Sequence, residues 1–69
     1  MRKIVKVLIK SALYGDGYSS IILDKGIVSL GITEDDALER AASELKPNAK
    51  FEVLDIDESN LGTTYTIQF

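Results

Sequence analysis

The sequence predicts an α+β fold: a single small domain in which an antiparallel sheet of four to five strands carries one helix on one face, in the order β-β-β-α-β-β. Three observations lead there. Stretches rich in β-branched residues alternate with a two-residue period at both ends of the chain, one stretch between them has helical spacing, and glycine-containing turns punctuate the whole. With 69 residues, folding buries only about 60% of the surface the unfolded chain exposes, which leaves room for one core.

The first strand is read over residues 3 to 12, where alternation puts Val5, Val7 and Ile9 on one face and Ile4, Lys6, Leu8 and Lys10 on the other. Tyr14-Gly15-Asp16-Gly17-Tyr18 has turn composition, because glycine reaches positive φ without cost and Asp bonds its own backbone. A return strand runs from Tyr18 to Asp24. Asp24-Lys25-Gly26 is a second tight turn leading into Ile27-Val28-Ser29-Leu30, which completes a three-stranded meander.

The helix is the clearest element. Thr33-Glu34-Asp35-Asp36 fits a capping box with Asp in the fourth position, and three acids in the first turn suit the positive end of the helix dipole. Ala37, Leu38, Ala41, Ala42 and Leu45 form the apolar stripe, and Lys46-Pro47-Asn48 ends the run. Alanine at three of those five positions allows a close approach to a sheet. Residues 50 to 56 alternate again, Asp57 to Gly62 read as a polar loop, and the last strand puts Thr63, Tyr65, Ile67 and Phe69 on a buried face.

Composition excludes much chemistry. The chain has no Cys and no His, which removes thiolate catalysis, disulfides, the usual zinc ligands and the commonest general base. Neither a cofactor nor a metal site is expected, and no enzymatic activity. Apolar runs such as Ile21-Ile22-Leu23 fall far short of the ~20 residues that span a bilayer, so the expectation is a cytoplasmic protein without membrane attachment. Residues 1 to 31 carry five bases and two acids (+3), residues 32 to 69 three bases and nine acids (−6). An acidic total argues against a general phosphate-backbone binder, although a basic first strand is left.

Several candidate constellations reduce to structural duties. Asp55-Ile56-Asp57-Glu58-Ser59-Asn60 begins like a calcium loop, but the required Gly falls on Asn60 and the bidentate Glu on Thr66. Asp55, Asp57 and Glu58 therefore read as a solvated loop or an acidic contact surface. Gly15-Asp16-Gly17 lacks the Lys and Ser/Thr of a phosphate loop. Tyr14 and Tyr18 flank that turn and either pack across the hairpin or serve as contact anchors, since Tyr combines large apolar area with a polar tip.

The segment from Asp16 to Leu45 resembles the N-terminal domain of HicB-type antitoxins. The resemblance rests on Asp16-Gly17-Tyr18, on Gly26-Ile27-Val28-Ser29-Leu30-Gly31, and on the helix start Thr33-Glu34-Asp35-Asp36-Ala37-Leu38-Glu39-Arg40-Ala41. It covers less than half of the chain, and Leu23-Asp24-Lys25-Gly26 stands where the family has a Pro-Asp-Leu-Pro-Gly stretch. The resemblance implies a β-β-β-α-β core that dimerises and neutralises a partner protein.

One helix cannot cover both faces of a sheet whose strands are apolar on both sides. Ile4, Lys6, Leu8 and Lys10 therefore outline a surface for a protein partner or a second copy, with twist and flanking loops as the alternative way of covering it. The expected function is a small protein-binding module that inhibits or neutralises a partner, antitoxin-like or of the kind a phage encodes against a host enzyme. The alternative is a nucleic-acid binder using the basic first strand, with Arg2, Lys3, Lys6 and Lys10 near Tyr14 or Tyr18 as a stacking surface.

Overall fold

Alternation at period two commits the chain to strands, and pairing them decides which faces are buried. A computed structural model describes residues 3–11, 17–47 and 50–69. It contains β1 (Ile4–Ser11), β2 (Tyr18–Ile22), β3 (Ile27–Gly31), α1 (Glu34–Leu45), β4 (Glu52–Ser59) and β5 (Gly62–Gln68). All pairings are antiparallel and the sheet order is β3-β2-β1-β5-β4. The expected α+β architecture is thus present, with five strands.

The core lies between α1 and one sheet face. Ala37, Leu38, Ala41 and Ala42 meet Val5, Val7, Ile9, Ile22 and Ile67, and Tyr18, Ile27, Leu45, Phe51, Tyr65 and Phe69 close its margin. The helix packs across β3, β2 and β1. Its small residues make that approach possible, and so does Gly31, where a Cβ would run into the backbone nitrogen of Ala37. Gly26 at φ +67° turns the β2–β3 hairpin, donating its N–H to the Ile22 carbonyl at 2.7 Å.

Thr33 is the N-cap, as its spacing indicates: its hydroxyl accepts the Asp36 N–H at 3.1 Å. The reciprocal bond differs from a standard capping box. Asp36 Oδ2 accepts from the N–H of Ile32, one residue earlier than the cap, at 2.9 Å. At the other end, the Lys46 N–H reaches the Ala42 carbonyl at 3.0 Å, and Pro47 prevents continuation.

Three sequence readings are corrected. The second strand ends at Ile22, because Leu23 to Gly26 form the turn, although the Leu23 N–H still reaches the Lys6 carbonyl at 3.1 Å. Asp57, Glu58 and Ser59 belong to β4, paired with Thr64, Thr63 and Gly62, so the polar loop shrinks to a tight connection. Charge mimics a loop here because β4 is an edge strand with every residue exposed. Finally, a β-bulge at Leu54 shifts the register: Val53 faces Ile67 and Ile56 faces Tyr65. Val53 and Ile56 therefore share the core-side face, which simple alternation places on opposite sides.

Candidate protein-binding face

The sheet face away from α1 is assembled row by row from the strand registers. Leu8 on β1 is opposite Ile21 on β2, which is opposite Val28 on β3. Lys10 stands beside Ser19 and Ser19 beside Leu30, while Leu23 continues the face next to Lys6. On the other side of β1, Leu8 meets Thr64, Lys6 meets Thr66 and Ile4 meets Gln68. Those residues in turn meet Asp57, Asp55 and Glu52 of β4.

The open face therefore has two unlike halves. On β3, β2 and β1 it is aliphatic: Val28 is 60% exposed, Leu30 65%, Ile4 57% and Leu23 49%, with Leu8 and Ile21 half-buried among them. On β5 and β4 it is hydroxyl-bearing, then acidic. Lys6 and Lys10, both exposed, mark the boundary. Contiguous aliphatic area on a small protein, rimmed by polar and charged groups, has the make-up of a protein contact surface.

Ile4, Lys6, Leu8 and Lys10 are brought together on this face, and Asp55 and Asp57 join them there. Glu58, paired with Thr63, lies on the opposite face. Tyr18 is also on the helix side, packed against the core margin between Ser11 and Gly31, and so is separated by the sheet from Lys6 and Lys10. Tyr14 lies outside the described residues. The alternation in β1 alone misses Ile21, Leu23, Val28 and Leu30. Each of these sits one position from Ile22, Ile27 or Ser29, which the strand registers place on the helix side.

The ion pair and most carboxylate hydrogen bonds gather at the helix start. Arg40 Nε pairs with Asp36 Oδ2 at 3.2 Å, the one ion pair among the described residues. Asp36 is held below the usual carboxylate range, chiefly by the Ile32 backbone N–H and also by Arg40, against an opposing effect of desolvation. The Tyr65 hydroxyl donates to Glu34 Oε2 at 3.2 Å. Burial, followed by the charge of Glu34, raises its pKa. These bonds tie the first turn of α1 to itself and to β5. Among the described residues no three acidic side chains converge in a metal-binding arrangement, and no helix is long and apolar enough to cross a membrane.

No protein-family model, curated protein or solved structure matches the chain.

Proposed function

We propose that the protein is a small non-enzymatic binding module of the cytoplasm that inhibits or neutralises a partner protein, as an antitoxin or a phage-encoded inhibitor does, through the open face of its sheet. The observation that carries this reading is the aliphatic half of that face, where Ile4, Leu8, Ile21, Leu23, Val28 and Leu30 form one patch over three adjacent strands. The acidic rim supplied by Asp55 and Asp57 gives the surface polarity and hence orientation. The same rim weakens the nucleic-acid alternative, because two carboxylates share the face with Lys6 and Lys10 while Tyr18 is on the other side.

The test is capture by the immobilised full chain from a bacterial lysate, compared with Ile4→Asp and Leu23→Asp variants. A specific protein is retained by the native chain and lost in both variants, whose thermal unfolding stays within a few degrees of the native value. Retention of nothing, or retention of the same protein by both variants, overturns the reading.

A further inference from the structure

The two edges of the sheet are built differently, and one of them is complementary to itself. β3 has only β2 as a neighbour among the described strands, so its outer row of N–H and C=O groups has no strand partner. Its residues, Ile27-Val28-Ser29-Leu30-Gly31, include no charge, no proline and no bulge. Edge strands are ordinarily protected by one of these features, because an unpaired edge is a template for another strand. β4, the other edge, has two of them: Glu52, Asp55, Asp57 and Glu58, and the bulge at Leu54.

Beside β3, between it and α1, runs an open groove lined by Val28, Ser29, Leu30, Arg40, Ser43 and Glu44. We propose that this edge and groove form a homodimer interface, in which β3 pairs antiparallel with β3 of a second copy across a two-fold axis through Ser29. Three independent features select this occupant and this register.

The first is Ser29 itself. Its Oγ is the one buried side-chain polar atom among the described residues that has no hydrogen-bond partner. With the axis at Ser29 the two serines are directly opposite, on the same face, with Cβ atoms about 5 Å apart, so a χ1 rotation that turns each Oγ out of its buried position brings the two hydroxyls within reach of each other. The second is charge. Arg40 and Glu44 lie one turn apart on the helix flank beside Ser29. Two-fold symmetry runs the two helices antiparallel, so Arg40 faces Glu44 of the second copy and Glu44 faces its Arg40. Arg40 uses Nε for Asp36 and keeps its terminal N–H groups for that contact.

The third feature is the open face. In this register Val28 is opposite Leu30 of the second copy and Leu30 opposite its Val28, so two aliphatic patches become one across a ten-stranded sheet. The interface is isologous and closes at two copies, since the outer edges that remain are both acidic β4 strands. This assembly stands without the partner-binding reading, and its residues differ from those used to test that reading.

Because the chain has no cysteine, Ser29→Cys introduces a single thiol. Opposed residues of an antiparallel pair have Cα atoms about 4.5–5.5 Å apart, inside the range a disulfide requires. Mild oxidation is expected to convert Ser29→Cys to a covalent dimer at least ~10-fold faster than Ser59→Cys on β4; equal rates overturn the proposal. In parallel, light scattering and native mass spectrometry of the native chain are expected to show a dimer. Arg40→Glu and Glu44→Arg, each creating two like-charge contacts, weaken association about tenfold. Mixing these two variants restores both opposite-charge contacts and yields heterodimer above the statistical proportion. A native chain that stays monomeric at hundreds of micromolar, or variants that show no preference for each other, overturn it.

Discussion

The strands at the two ends of the sheet receive opposite treatment. β3 is short, uncharged and backed by the helix, and its Gly31 is pressed against the first turn of α1. β4 is longer, carries four acids, bends at a bulge and has no helix over it. Stability and solubility are thus separated across the sheet: the β3 side is held by buried aliphatic contacts, whereas the β4 side depends on its ladder with β5. The core-side residues Val53 and Ile56 on β4 show the consequence, being 40% and 55% exposed although they face the same side as Ile67.

The largest effect expected from this contrast is on stability. Ile22 is fully buried under the helix, and Ile22→Ala should cost about 2–5 kcal/mol in chemical denaturation, since a cavity is added to the lost transfer energy. Ile56→Ala on β4 should cost less than about 1 kcal/mol, because over half of that side chain is already in water. Similar costs for the two would mean that the β4 side is as tightly packed as the helix side. Next in size is the edge chemistry. Replacing Asp55 and Asp57 by Thr removes charge from β4 and should strengthen self-association there about tenfold, seen by light scattering as species larger than a dimer.

Smaller effects concern the helix start that braces β3. Thr33→Ala removes the acceptor of the Asp36 N–H and should cost about 1 kcal/mol, or roughly 4–8 °C in Tm. The smallest is a pH dependence. Asp36 has a folded pKa below its unfolded one, so its contribution is present above the unfolded value of about 3.9 and is lost as pH falls through the lowered folded value. The difference in Tm between the native chain and Asp36→Asn should therefore be constant from pH 7 to about pH 5 and shrink below about pH 4.

Much of this is legible in the sequence. The meander is written in the alternation of residues 3 to 12 and in the turn composition of Asp24-Lys25-Gly26, and the helix boundaries in Thr33 and Pro47. Tertiary placement was decisive where local pattern is ambiguous. Asp57, Glu58 and Ser59 have loop composition, and only pairing with β5 shows them to be strand, because an edge facing water accepts charge on either side. The bulge at Leu54 has no strong sequence signature, yet it reverses the face of Ile56.

The site divides the same way. Alternation in β1 was enough to put Ile4, Lys6, Leu8 and Lys10 on one surface, since side-chain direction along a strand depends on the backbone alone. The neighbours of that surface depend on strand order. The order β3-β2-β1-β5-β4 sets Ile21, Val28 and Leu30 on one side of β1 and Asp55 and Asp57 on the other, and it turns Tyr18 to the opposite face. Composition by itself determined that the usual thiol and imidazole chemistry is absent, and alternation that two-sided strands exceed what one helix can cover. Only the fold decided which half of the second face is aliphatic, which is acidic, and which edge is left uncharged, because long-range pairing brings together residues that no local pattern links.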